Sequence, residues 1–147
     1  MKKTSQHIGK FGPIYTQFKN KPKNAIKHLK KVKNGECLNA LYREEIGFVD
    51  IVWGKNDENN RGYGLKHIIE KHEKEFKKFQ KSDVKIEDLI PFIFEFGTIK
   101  EEREQFKIII NNERYRIVLL TKWYGRKKAL LLTSYVFKEK KSKVKKL

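Results

Sequence analysis

Apolar residues recur with a helical rhythm in three places and with an alternating rhythm towards the C-terminus. Residues 1–20 have no periodicity, and 1–21 read as a basic, flexible lead-in. From Pro22, the spacing of Ala25, Ile26, Leu29 and Val32 predicts a helix, with proline suited to its first turn and Asn34-Gly35 as its stop. Residues 37–43 and 47–53 flank a Glu44-Glu45-Ile46 connection. With Phe48, Val49, Ile51, Val52 and Trp53 they predict a hairpin. Gly54 to Gly64 reads as a polar loop. A second helix should run from about Gly64 to Gln80, with Leu65, Ile68, Ile69, His72, Phe76 and Phe79 on one stripe. His67 falls on the other side, near Lys71 and Lys74. A third helix, Ile86 to Phe96, has Asp83 as N-cap and Gly97 as stop, and Pro91 should kink or break it.

The last third reads as a three-stranded antiparallel meander, Arg103–Asn111, Glu113–Lys122 and Lys128–Lys138. With Asn111-Asn112 and Gly125-Arg126 as two-residue turns, Lys107, Arg116 and Tyr135 share one cross-strand row. Gln105, Val118 and Thr133 form the next row on the same face. The opposite face collects Phe106, Ile108, Tyr115, Ile117, Leu119, Leu130, Leu132 and Val136, with Ser134 among them. One face is core and the other is cationic and hydroxyl-bearing, and a one-residue slip would reverse a strand's faces. The fold class is α+β: N-terminal helices and a short hairpin packed on one face of a C-terminal antiparallel β-meander.

Composition narrows this picture. A chain of 147 residues suits one domain, at 22–138, followed by a basic tail at 139–147. Its formal net charge is +17, yet residues 1–35 hold ten Lys and no acid, and 138–147 hold six Lys and one Glu. Such Lys-rich ends raise affinity for any polyanion. A more telling excess lies at 114–137, where Arg114, Arg116, Lys122, Arg126, Lys127 and Lys128 occur with no acid in strand-like sequence. Lys107, Lys122, Arg126, Lys127 and Lys128 are therefore candidate phosphate ligands. Eighteen aromatics argue against disorder. No apolar run long enough to span a membrane occurs, and the first thirty residues lack a signal-peptide core. A cytoplasmic site of action is expected, including after delivery within a larger protein. The single Cys37 excludes an internal disulfide and a zinc knuckle, and on a strand it reads as inert.

The sharpest chemical signal is GYGLKHIIEKH at 62–72. A glycine-flanked helix start is a phosphate-binding candidate, and His67 in that first turn should be a neutral imidazole able to act as a base. The competing reading is an ordinary surface histidine. His72, in the apolar stripe, reads first as a hydrogen-bonded core histidine and second as a catalytic one. Five residues apart, the two lie roughly 140° around an α-helix, which argues against a shared metal ion. The string also misses the zinc-peptidase spacings, and no Walker loop, dinucleotide fingerprint or nucleophile elbow occurs. Thr133 and Tyr135 gain interest from Lys107 and Arg116 beside them. Trp53, Trp123 and Tyr124 are base-stacking or packing residues.

GFVDIVWG, a polar loop, GYGLKHIIEKH, a helix ending in FGTI, and a meander closing on LLLTSY together resemble a phage-associated nuclease domain of the barnase/EndoU/colicin/RelE-like (BECR) superfamily. Such domains stand at the C-terminus of phage head-morphogenesis and polymorphic-toxin proteins. The resemblance spans roughly 22–138. It implies helices packed on an antiparallel sheet, an active site on the exposed sheet face, and metal-independent endoribonuclease chemistry without a cofactor. The histidine role carries onto His67 and His72, the hydroxyl positions onto Thr133 and Tyr135, and transition-state charge stabilisation onto Arg116 and Lys107. His67 is expected to be the exposed catalyst of the two. The implied substrate is RNA, tRNA or another structured RNA, and a toxin would have an acidic immunity protein as partner. A non-catalytic nucleic-acid-binding module and a phage structural domain are the rival readings.

Overall fold

The computed structural model describes residues 8–9, 11–80, 85–102, 107–123 and 126–137, without the side chains of 8, 9, 77, 79, 80, 101, 102 and 126. Helix α1 (Pro22–Val32) forms as its spacing predicts and buries Ala25, Ile26 and Leu29. Lys33 closes it in a left-handed conformation, its backbone N–H donating to the Leu29 carbonyl. The predicted hairpin is β3 (Glu36–Arg43) and β4 (Gly47–Val52). It does not lie on the face of the C-terminal strands but extends their sheet edge to edge.

Among the described residues, eight strands make that mixed sheet, in the order β1-β2-β3-β4-β10-β9-β8-β7. The C-terminal strands are β7 (Thr98–Glu102), β8 (Lys107–Asn112), β9 (Tyr115–Trp123) and β10 (Arg126–Val136). β4 and β10 run parallel and pair only at Asp50 and Leu130. β7 has no counterpart in the sequence reading, because its charged TIKEE run alternates no apolar face and is held by antiparallel pairing to β8 alone. Within the supposed lead-in, β1 (Ile8–Gly9) pairs with β2 (Gly12–Tyr15), and β2 runs parallel to β3. Tyr15 and Phe18 then close on the His28 ring of α1, with centroids at 4.4 and 5.0 Å.

The meander's register departs from the predicted one in an instructive way. Arg116 pairs with Asn111, while Lys107 pairs with Leu120. Glu113 and Arg114, not Asn111-Asn112, therefore form the turn, and Glu113 takes a positive φ of 56°. The slip is four residues, an even number, so the faces survive while Lys107 moves away from Arg116. At the other hairpin Arg126 already pairs with Trp123, and Gly125 lies outside the described residues. Two register shifts along β10 then restore the expected rows, Arg116 with Tyr135 and Val118 with Thr133. They also give Leu131 the core place opposite Leu119 that simple alternation assigns to Leu132. Gln105, Phe106 and the other residues of 103–106 lie outside the described residues, as does Asp83.

Helix α4 (Ile86–Phe96) runs through Pro91 unbroken. Arg43 reaches across from β3 to donate to the Phe94 and Gly97 carbonyls at the helix end, and Lys30 bonds Glu87 at 2.9 Å to tie α1 to α4. The second predicted helix is three pieces in series: α2 (Gly64–His67), a π-helical turn (Ile68–His72) and α3 (Glu73–Gln80). Leu65, Ile68 and Phe76 from it join Ile26, Ile93, Ile117 and Leu131 in one core between helices and sheet. Gly54 to Gly64, read as an irregular loop, contains the two-residue strands β5 (Lys55–Asn56) and β6 (Gly62–Tyr63).

Candidate active site

Gly64 opens α2 with φ 81°, and a Cβ there would lie 2.8 Å from the Trp53 carbonyl and 2.9 Å from that of Val52. Glycine is thus required for close approach to the end of β4. The neighbouring Lys66 N–H is taken by the Trp53 carbonyl, so the expected phosphate site at this helix start is turned into the fold. The turn that follows lies against β10 near Tyr135 and Val136, past the Leu130 level at which β10 pairs with β4.

There the π turn decides the chemistry. It holds one more residue than an α turn, which shrinks the separation of His67 and His72 from roughly 140° to roughly 40°. The rings stand edge to face with centroids 5.3 Å apart. His67 is not on the exposed side near Lys74: it is 6% exposed, and His72 is 8%. The angular objection to a shared ligand falls with it, although no cluster of three or more His, Cys, Asp or Glu able to hold a metal occurs among the described residues.

Each imidazole is oriented by a residue that the sequence reading passed over. His67 Nδ1 lies 2.7 Å from Asn56 Oδ1. The Asn56 amide is itself fixed, because its Nδ2 donates to Asn60 Oδ1 and Glu70 Oε1 at 3.1 and 3.0 Å. Its oxygen must therefore face His67, which makes Nδ1 the protonated nitrogen and leaves Nε2 with the lone pair of a base. Burial first, then the charges of His72 and Lys71, hold the His67 pKa below its ordinary value of 6.5. His72 Nδ1 lies 3.0 Å from Glu75 Oε2, and Glu75 Oε1 accepts the Val136 N–H at 3.4 Å, pinning the pair to the free edge of β10.

The array continues across the sheet. The Tyr135 ring lies 5.4 Å from that of His72, and its hydroxyl receives a long 3.4 Å contact from Arg116 Nη1. Arg116 is held by Nε donating to Asn111 Oδ1 at 2.9 Å and by its guanidinium carbon 4.1 Å from the Phe137 ring centroid. Thr133, two residues from Tyr135 on β10, has a buried hydroxyl without a hydrogen-bond partner among the described residues. Ser134, its core-facing neighbour, is satisfied by the Arg116 carbonyl at 2.8 Å.

His67, His72, Tyr135 and Arg116 thus converge, with Thr133 two residues from Tyr135 along β10, while the candidate phosphate ligands scatter. Lys107, level with Leu120, is four residues along the ladder from Asn111, roughly 13 Å from the Arg116 row. Lys122 and Lys127 face each other, exposed, at the far end of the β9–β10 hairpin, and the Arg126 side chain lies outside the described set. Lys128 is committed internally, its ammonium 2.7 Å from both Glu36 Oε1 and Asp50 Oδ2. Cys37 is buried, and burial together with Glu36 and Asp50 pushes its thiol up to about 12, consistent with an inert thiol. The supports Asn56, Glu75 and Asn111 were legible only as polar residues. Asn56 sits in a two-residue strand, too short to carry a pattern, and Asn111 pairs within β8 where its residue type predicts a turn.

The profile of the family described as phage-Barnase-EndoU-ColicinE5/D-RelE like nuclease1 matches residues 40–142, more than half of the chain. The chain belongs to this family. No curated protein and no solved structure matches it. As a BECR nuclease it is an enzyme acting on nucleic acid, and the matched span of this nuclease holds every member of the array from Asn56 to Tyr135. It leaves out α1 and the first two strands. No described helix of the BECR nuclease is long and apolar enough to cross a membrane.

Proposed function

We propose that this nuclease is a metal-independent endoribonuclease acting by transesterification. The observation that carries the reading is the continuous array His67–His72–Tyr135–Arg116, with His67 held as the Nδ1–H tautomer by a fixed amide. His67 Nε2 takes the proton of a ribose 2′-hydroxyl, and the 2′-oxygen attacks the adjacent phosphorus. His72, oriented by Glu75, returns a proton to the departing 5′-oxygen as the P–O5′ bond breaks. Arg116 meets the charge that develops on the phosphorane, the term that usually weighs most, and the Tyr135 and Thr133 hydroxyls donate to its non-bridging oxygens. The products are a 2′,3′-cyclic phosphate and a free 5′-hydroxyl, so the ribose hydroxyl is essential and DNA is not cut.

The substrate in this reading is tRNA or another structured RNA. The action is that of a toxin in the cytoplasm, with an acidic immunity protein covering the cationic surface. The test is incubation with total tRNA in EDTA, beside His67→Ala and Arg116→Ala. Fragments with cyclic-phosphate ends, lost in both variants, support it. RNA that stays intact yet shifts on a native gel supports the binding-module reading instead.

A further inference from the structure

Beside the array lies a cleft of about 710 Å³ whose walls include Lys33, Trp53, Lys55, Asn56, Arg61 and Lys66. A second hollow of about 430 Å³ shares Lys33, Trp53 and Lys66, so the two form one groove from the end of α1 to the β5–β6 hairpin. Resting on the ribonuclease reading for the identity of the polyanion, we propose that this groove is a subsite for single-stranded RNA flanking the scissile phosphate. Trp53 stacks on an unpaired base, and Lys33, Lys55, Arg61 and Lys66 grip the neighbouring phosphates.

Four features point there. The first is charge without internal compensation. Lys33, Lys55 and Arg61 are exposed and make no ion pair with a described residue, and Lys66 approaches Glu70 only to 3.9 Å. Of the two acids in its described lining, Asp57 has one carboxylate oxygen occupied by the backbone N–H groups of Asn59 and Arg61, and Glu70 accepts from Asn56 Nδ2, so the five cations Lys30, Lys33, Lys55, Arg61 and Lys66 outnumber them. Convergent cations with low-dielectric walls repel one another and attract a chain of phosphates.

The second is a fixed aromatic wall. Trp53 packs on the core with one part of its surface, and its main chain is fixed by its backbone N–H donating to the Gly35 carbonyl and its carbonyl accepting from the Lys66 N–H, so the half-buried ring beside the cleft is a platform for a base. The third is continuity, because Asn56 lines the groove and also holds His67 Nδ1; RNA in the groove passes one side chain from the base. The fourth is size, since the first cleft alone, about 710 Å³, lies within the range of small-ligand sites, about 300–1,000 Å³, and the second hollow leaves room for a neighbouring nucleotide. Lys33 belongs to the cap of α1, outside the family-matched span.

The test is binding of a fluorescent single-stranded 2′-O-methyl RNA 12-mer, which cannot be cleaved, to the full chain. Lys55→Ala/Arg61→Ala should weaken binding about 10-fold and lower the slope of log affinity against log salt by about 1.4. The charge-matched Lys27→Ala/Lys31→Ala pair, on the exposed side of α1, should change affinity less than about 2-fold. In a Trp123→Phe variant, where Trp53 is the one remaining tryptophan, the oligonucleotide should quench its emission. Equal losses in the two double variants, or unchanged Trp53 emission on binding, overturn the subsite. An RNA duplex of equal length that binds as well, with the same dependence on Lys55 and Arg61, overturns the single-strand assignment. Because the probe is inert, a protein that binds it through the groove yet never cuts RNA overturns only the ribonuclease reading. One that cuts RNA with no dependence on Lys55 and Arg61 overturns only the subsite.

Discussion

His67 and His72 meet edge to face at 5.3 Å because the turn between them is π-helical, and each turns its Nδ1 to a different partner, Asn56 for one and Glu75 for the other. Two identical side chains are thereby given unequal surroundings: one faces a neutral amide and the other a carboxylate. Unequal surroundings for a pair of titratable groups are what acid–base catalysis needs.

The pH profile should carry this asymmetry. His67 accepts a proton only when neutral, and burial with His72 and Lys71 lowers its pKa, so the acid limb of kcat/KM should have its midpoint below 6.5. Lys71→Glu, which reverses one contributing charge on an exposed side chain, should move that midpoint upward. Stability follows the same sign. Because the folded pKa is depressed, the unfolded chain binds more protons as pH falls below 6.5, and stability present above 6.5 is lost on the way down to the folded pKa. Urea unfolding at pH 7.5 and pH 5 should show a larger loss for the wild type than for His67→Gln.

Asn56→Ala should release the His67 tautomer. The expected loss in kcat is about 10- to 100-fold, less than the roughly 10²–10⁴-fold of removing a general base outright. Nitrogen-15 NMR of the imidazole should change from a single Nδ1–H form to a mixture. An unchanged tautomer with lowered activity would reassign Asn56 to substrate contact.

Thr133→Val should separate stability from activity. The Thr133 hydroxyl is buried and unsatisfied among the described residues, so deleting it should leave the fold as stable or raise stability by about 1 kcal/mol. Activity should fall if the bound substrate opens the site enough for this hydroxyl to donate to a phosphorane oxygen, and an unchanged cleavage rate would remove Thr133 from the site. Thermal melts and cleavage rates on one preparation decide it, and a destabilised variant would mean the hydroxyl is satisfied in the native protein.

Lys128 should behave as a structural cation. It stands between Glu36 and Asp50, both largely buried, and Lys128→Met leaves two carboxylates facing each other without it. A loss of about 3 kcal/mol in unfolding free energy is expected. Affinity for RNA at a temperature where the variant is folded should match the wild type. A selective loss of affinity would return Lys128 to the phosphate ligands.

Much of this molecule is written in local pattern. The helices from Pro22 and Ile86, the β3–β4 hairpin and the core face of β9 follow from period and turn length, whereas the expected row of Arg116 with Tyr135 is reached through two register shifts that no period predicts. His67, His72, Thr133 and Tyr135 are candidates from the helix start at 62–72, the rows of the meander and the BECR resemblance, and cleavage by their variants tests their roles. The order GL-HI-KH then TSY points to the BECR nucleases from the chain alone.

Only the tertiary structure decided which of those groups touch. Periodicity assumes a constant angle per residue, and the π turn breaks that assumption at the two histidines, converting an exposed His67 into a buried partner of His72. Strand register assumes a turn position, and the Glu113-Arg114 turn replaced Lys107 with Asn111 beside Arg116. The cations divide for the same reason. Lys128 is neutralised by two acids 92 and 78 residues away in the chain, while Lys33, Lys55 and Arg61 are left facing one cleft. Residue type and spacing are local quantities, whereas desolvation, hydrogen-bond partners and net field are sums over neighbours that only the folded chain assembles.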